Sequence, residues 1–187
     1  MSRALNMIGA LAAMVLTAPL MLVAVVLIHL EGGGKAIYRQ TRVGLHGTEF
    51  QMLKLRTMVH GSDPVGVGTV VGRDDPRVTK AGRWLRRTSL DELPNLINVL
   101  RGEMALVGPR PTIPAQVADY TDQQKRRHEV RPGITGWAQV QGRAGIPWED
   151  RIALDIEYVD RRSTAMDLKI LWKTIWLTAT GHGLAPD

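Results

Sequence analysis

The stretch Met7–Leu30, MIGALAAMVLTAPLMLVAVVLIHL, contains no Asp, Glu, Lys or Arg. About 20 apolar residues are enough for a helix to cross a bilayer, so this run predicts a helical membrane segment. It is longer than the usual apolar core of a cleavable signal peptide, and no clear small-x-small cleavage site follows it. Pro19 lies in its middle, after Thr17 and Ala18. A proline there removes one helix hydrogen bond and crowds the preceding turn. In lipid the freed carbonyls need a donor, and the Thr17 hydroxyl is a nearby candidate. Two shapes follow: a kinked helix that spans, or a re-entrant helix that returns both ends to one face. Arg3 before the run and Lys35, Arg39 and Arg42 after it give both flanks a cytoplasmic preference. That favours re-entry, but composition alone leaves the choice even.

Outward from this run the chain changes character. Gly32-Gly33-Gly34 gives a flexible exit, and Ala36–Gln40 reads as strand. Glu49–Met58 reads as a second strand, with the turn of a hairpin at Val43–Gly47. On it Lys54 and Arg56 share one face, and Leu53, Leu55 and Thr57 the other, because strand side chains alternate. An exposed basic face is the plain reading of that pattern. Residues 59–78 are rich in Gly, Pro and Asp and read as a mobile loop. Asp74-Asp75 within it resembles a metal pair but is better explained as turn punctuation before Pro76. Val78–Arg87 reads as a short basic helix suited to an anionic membrane surface.

Arg86-Arg87-Thr88-Ser89-Leu90-Asp91-Glu92-Leu93-Pro94 carries the chemistry. Leu93, Leu96, Ile97 and Leu100 recur at helical spacing, and Ser89 with Glu92 fits a capping box. The expected helix begins at Ser89 or Leu90, since Pro94 is best tolerated in a first turn. Both acids then lie in that first turn, where the dipole favours negative charge. A well-capped helix accounts for this pattern by itself. The basic pair before it and Gly108-Pro109-Arg110-Pro111 after it point further, to phosphate chemistry with a divalent metal.

Residues 114–130 read as a polar helix, and 131–143 as a shaped loop with a short strand. Trp148–Val159 carries an apolar stripe of Ile152, Ile156 and Val159, with Asp155 and Tyr158 at its border. Ser163–Thr180 contains a second amphipathic helix with Leu168, Leu171, Trp172, Ile175, Trp176 and Ala179 on its apolar stripe. That stripe suits either the core or a bilayer interface, and core packing is the first expectation.

The 187 residues allow one domain, or one domain with an anchor, and enough core to fold. Without cysteine there are no disulfides and no thiolate metal sites. The formal charge of +6 points to an anionic partner, whether a membrane face, nucleic acid or a phosphorylated substrate. One Phe and three Tyr are too few for a stacking platform on single-stranded nucleic acid.

Five ordered motifs are familiar together: YRQTRVG (38–44), KLRTM (54–58), TSLDELP (88–94), VGPRP (107–111) and RPGITGWAQV (131–140). On these residues the chain resembles the bacterial sugar transferases, small monotopic phosphoglycosyl transferases, over nearly its whole length. The resemblance implies an α+β, mostly helical fold. It would comprise a re-entrant membrane helix (1–31) broken near Pro19, and a membrane-associated catalytic domain (32–187) with a small β-hairpin and amphipathic interface helices. It implies a place in the bacterial inner membrane, with the catalytic domain on the cytoplasmic face. It also implies transfer of a sugar 1-phosphate from a UDP-sugar to polyprenyl (undecaprenyl) phosphate, releasing UMP. Such a reaction starts a surface or protein glycan that downstream glycosyltransferases extend; no nucleic acid partner is expected.

By motif, Asp91 matches the nucleophile and Glu92 the Mg²⁺ ligand, with ping-pong kinetics through an aspartyl phosphosugar. Lys54, Arg86 and Arg110 match basic residues around a phosphate, and Arg143 a contact to nucleotide or sugar. Ala18 stands where many relatives carry Ser, which leaves Thr17 as the hydroxyl beside Pro19. Gln141 stands where relatives usually carry Asn. The chain is too short for the additional membrane helices and N-terminal domain of larger relatives, so it corresponds to their catalytic core. Two rival readings are a membrane-anchored basic binding module without catalysis, and a metal-dependent hydrolase of nucleotide diphosphosugars.

Overall fold

The apolar run forms helix α1, Arg3–Gly32, which continues through Pro19. The computed structural model describes residues 1–32, 34–62, 75–142 and 146–180. Helix α1 is long and apolar enough to cross a membrane, and little of it is buried. The Thr17 hydroxyl donates to the Ala13 carbonyl at 2.7 Å, one turn back along the helix. The helix meets the rest of the chain on both sides of Pro19. Before it, Ala10 packs with Phe50, Met52, Leu96, Val99 and Met104. The Asn6 side-chain oxygen also accepts from the Leu106 amide at 2.8 Å. After it, Ala24 and Ile28 pack with Ala36, Leu55 and Leu85. At the helix end Glu31 accepts from the Ala81 amide at 2.8 Å.

The hairpin forms as the alternation predicts. Strands β1, Ile37–Val43, and β2, Glu49–Leu55, pair antiparallel, with Tyr38 opposite Lys54 and Arg42 opposite Phe50. A short 3-10 turn, Leu45–Gly47, joins them. Leu53, Leu55 and Thr57 are buried while Lys54 and Arg56 are half-buried, so the two faces differ as their side chains demand. Asp75 binds both the backbone amide and the guanidinium of Arg77, which gives it the turn role expected; Asp74 lies outside the described residues.

Helix α2, Lys80–Thr88, is capped by the Thr79 hydroxyl on the Gly82 amide and buries Leu85 against α1 and β2. Helix α3 follows at Asn95–Arg101. The expected helix start at Ser89 or Leu90 is corrected here. Ser89 has φ 57° and ψ 18°, a left-handed conformation that ends α2, and its side chain makes no cap. An N-cap needs extended backbone, so no capping box with Glu92 can form. The acids instead lie in a 3-10 turn, Leu90–Glu92, closed by the Leu93 amide on the Leu90 carbonyl at 3.2 Å.

Strand β3, Ala105–Val107, pairs in parallel with β4, Gly133–Thr135. The glycines of the two motifs meet here. A Cβ on Gly133 would lie 2.1 Å from the Gly108 nitrogen, and one on Gly136 2.2 Å from the Gly108 carbonyl oxygen. Backbone contacts that close admit only glycine.

The polar helix expected over 114–130 is broken into α4, Pro114–Val117, α5, Asp122–Lys125, and a 3-10 turn, Arg126–Glu129. Thr121 interrupts it by capping α5 through a capping box with Gln124, while Tyr120 and Arg127 are drawn into the interior. Helix α6, Trp137–Gly142, precedes α7, Trp148–Arg161, and α8, Thr164–Thr180. On α7 the inward face is Ile152, Asp155 and Tyr158, so the two polar residues expected at the border are buried. On α8 the core expectation is overturned. Ile170 is buried with Val107, Val130, Val140 and Tyr158, but Trp172 and Ile175 are 71% and 64% exposed. Leu168 and Trp176 are exposed as well.

Candidate active site

The cavity that joins the hairpin, the acidic turn and the C-terminal helices has a volume of about 1110 Å³. Lys54, Arg86, Asp91, Glu92 and Arg110 all line it, although they come from three separate parts of the chain. Thr17 also lines it, beside Ala13, so α1 forms one wall near its proline. Pro19 is not among the lining residues, and Arg143 lies outside the described residues.

The two acids have different surroundings. Glu92 Oε1 accepts from Lys54 Nζ at 2.8 Å and from Arg110 Nη2 at 2.6 Å. Its other oxygen faces Arg110 Nη1 at 3.3 Å. Burial pushes the Glu92 carboxyl up, but the charges and hydrogen bonds of Arg110 and Lys54 outweigh it and hold the group well below the usual range. Asp91, only 9% exposed, has no hydrogen-bond partner for its carboxylate among the described residues. Burial raises it to about 6, and the Glu92 charge adds to that rise. Lys54, Arg110 and Arg86 oppose the rise without cancelling it. Neighbouring carboxylates driven apart in this way take distinct chemical roles.

The cations are graded too. Glu92 is the main reason that Arg110 is raised. Arg86 donates through Nε to the Thr57 hydroxyl at 2.9 Å, and burial lowers its pKa. Arg42, to which the sequence assigned no site role, enters the cavity wall. It donates to the Pro111 carbonyl at 3.1 Å and to Gln40 at 2.6 Å. Burial, then the adjacent Arg110 charge, lowers it to about 10. Arg127 and Asp155 also line the cavity, as a buried ion pair at 2.5 Å. Burial raises Asp155 to about 6 against the pull of Arg127. Arg42 belongs to the YRQTRVG motif, which marks it. Arg127 lies in a polar run that carries no such signal.

Among the described residues no cluster of three or more His, Cys, Asp or Glu occurs. The carboxylates at this end of the cavity, among the described residues, are Asp91 and Glu92. Mg²⁺ is commonly held by one or two carboxylates together with substrate phosphates and water, so this pair fits a Mg²⁺ ion accompanied by a diphosphate.

The family model described as bacterial sugar transferase matches residues 1–181. The chain belongs to that family. Its members are sugar-phosphate transferases, and the helix, hairpin and acidic turn described above lie within the matched span. The chain is 46% identical over 181 residues to the UDP-glucose:undecaprenyl-phosphate glucose-1-phosphate transferase of Caulobacter vibrioides, covering 92% of this chain and 67% of that protein. It is 41% identical over 184 residues to the uncharacterized sugar transferase EpsL of Bacillus subtilis, covering 98% and 90%. It is 39% identical over 197 residues to the UDP-galactose-lipid carrier transferase of Erwinia amylovora, covering 98% of this chain and 41% of that protein.

Proposed function

We propose that this bacterial sugar transferase moves a sugar 1-phosphate from a UDP-sugar to undecaprenyl phosphate, through a covalent intermediate on Asp91. The observation that carries the reading is the contrast between the paired acids. Asp91 is buried on the cavity wall with no hydrogen bond to its oxygens among the described residues, while Glu92 is held by Lys54 and Arg110. A carboxylate raised to about 6 is still largely ionised at neutral pH, and it is more basic, hence a better nucleophile, than an ordinary aspartate.

In the first displacement an Asp91 oxygen attacks the β-phosphorus of the donor. The bond from that phosphorus to the bridging oxygen breaks, and UMP leaves with the electron pair. In the second, an oxygen of the lipid phosphate attacks the same phosphorus and Asp91 departs as carboxylate. The products are UMP and a polyprenyl-diphosphate sugar. Lys54, Arg110 and Arg86 hold fixed positive charge where anionic oxygens gather. Glu92 would hold Mg²⁺ with the donor diphosphate. Bound there, the ion supplies positive charge to the diphosphate and the leaving UMP.

The membrane reading follows the same geometry. A helix spanning a bilayer would carry its two ends to opposite faces, yet α1 packs on the one body before and after Pro19. That supports a re-entrant segment with both ends on one face, and the basic flanks Arg3, Lys35, Arg39 and Arg42 favour the cytoplasmic face of the inner membrane. Exposed Trp172, Ile175 and Trp176 on α8 suit the bilayer interface, where amphipathic aromatic side chains collect. The lipid phosphate then approaches along the cavity wall formed by Ala13 and Thr17.

The relatives' names differ in their sugar, glucose in one and galactose in another. The test is therefore UMP release by the protein in nanodiscs, with Mg²⁺ and a panel of UDP-sugars, with and without undecaprenyl phosphate. Turnover that needs the lipid phosphate and vanishes in Asp91→Asn is the expected result. UMP released equally without the lipid would make the protein a hydrolase instead. Full turnover by Asp91→Asn would remove the covalent step.

A further inference from the structure

The Arg127–Asp155 ion pair is remote in sequence from the acidic turn but linked to it through Arg110, whose carbonyl accepts from Arg127 and whose side chain donates to Glu92. The two side chains are 3% and 4% exposed. Buried ion pairs are weak stabilisers compared with apolar packing, so one that lines a reaction cavity calls for another explanation. The Arg127 guanidinium makes three directed contacts. Nη2 donates to Asp155 Oδ2 at 2.5 Å and to the Arg110 backbone carbonyl at 2.9 Å. Nη1 donates to the Tyr120 hydroxyl at 2.8 Å. The rings of Tyr120 and Trp148 flank the group at 5.8 and 5.7 Å.

The segment it holds has little means of holding itself. Pro109 and Pro111 bracket Arg110 and have no N–H to donate. Four successive carbonyls of this segment are instead taken by donors from elsewhere. Pro109 accepts from the Gly133 amide at 2.9 Å, Arg110 from Arg127, Pro111 from Arg42 Nη1 at 3.1 Å, and Thr112 from the Val43 amide at 2.8 Å. The side chain of the residue so clamped is the one that reaches Glu92 at 2.6 Å.

We propose that Arg127 and Asp155 are positioning residues: Asp155 orients Arg127, and Arg127 fixes the Arg110 turn so that its guanidinium meets Glu92 and the anionic substrate. The consequence for catalysis rests on the transferase reading above. The clamp on the turn does not, so the two can fail separately.

The test uses the full chain in nanodiscs with Asp155→Asn, Asp155→Glu and Arg127→Lys, each made in the wild-type protein and in Arg110→Gln. In the wild-type background Asp155→Asn and Arg127→Lys are expected to lower kcat at least tenfold, with a smaller change in KM. Asp155→Glu should recover part of the loss, because it restores the charge partner. In Arg110→Gln the same changes should cost less than twofold more, since the group they position is already gone. Losses that multiply in the double variants would overturn the proposal, as would kcat unchanged by Asp155→Asn.

Hydrogen exchange provides a readout without turnover. Peptide 105–116 should exchange faster in Asp155→Asn and Arg127→Lys, while the α3 peptide is unaffected. Unchanged exchange at 105–116 would also overturn the proposal. Should Asp155→Asn loosen the whole protein, Arg127→Lys, which keeps the buried cation, carries the comparison. Faster exchange at 105–116 in a protein that turns over no donor would retain the clamp and refute the transferase reading.

Discussion

Replacing Asp91 by Asn is expected to abolish turnover and, at the same time, to stabilise the protein. Burial, with the charge of Glu92, raises the Asp91 carboxyl from 3.8 to about 6, so the folded state binds its proton more tightly than the unfolded chain does. Below the unfolded value both states are protonated and the carboxyl has no electrostatic cost. Above the folded value both are ionised, and the buried charge costs about 3 kcal/mol, since each tenfold rise in proton affinity on folding is worth roughly 1.4 kcal/mol. A neutral amide of the same shape escapes that cost. For a chain of this size it corresponds to a rise in Tm of roughly 6–12 °C. The assay is thermal unfolding in detergent with EDTA, followed by tryptophan fluorescence at pH 8 and again at pH 4. The gain should be full at pH 8, shrink as the pH falls through 6, and be nearly gone at pH 4. No gain at pH 8, or an equal gain at both values, would refute the claim that Asp91 is ionised against its surroundings.

Glu92→Gln should act in the opposite direction, because Glu92 is held below its ordinary value by Arg110 and Lys54. Losing those charge-assisted bonds is expected to cost about 1–3 kcal/mol above pH 4.5, with the difference fading as the pH falls below that, in the same unfolding assay. Gly82→Ala should destabilise, although alanine is the better helix former by about 1 kcal/mol, because its Cβ would lie 2.0 Å from the Thr57 carbonyl oxygen. A melting temperature equal to or above the wild type would contradict that packing. For α8, variants retaining only Trp172 or only Trp176 should be quenched by brominated lipids in vesicles. Absence of quenching would remove α8 from the bilayer interface.

The sequence by itself determined the long apolar helix, the hairpin and its two-faced second strand, and the family. Each rests on local periodicity or on ordered motifs, and local pattern survives without knowledge of the fold. The motifs also gathered Lys54, Arg86, Asp91, Glu92 and Arg110, which the tertiary structure brings to one cavity wall. What only the tertiary structure decided is the environment of each of these groups. Asp91 and Glu92 are neighbours of the same chemical type, and no local pattern says which will be buried without a partner and which will be paired with two cations. That contrast arises because Ser89 turns left-handed and ends α2, which sets the acids on a 3-10 turn rather than in the first turn of α3. Arg127, and the role of Asp155, were hidden for a related reason. The first lies in a polar run and the second at the edge of an apolar stripe, and only the folding of α7 against the 126–129 turn unites them. The outward direction of Trp172 and Ile175 was likewise undetermined, since an apolar stripe is the same pattern whether it meets a core or a bilayer.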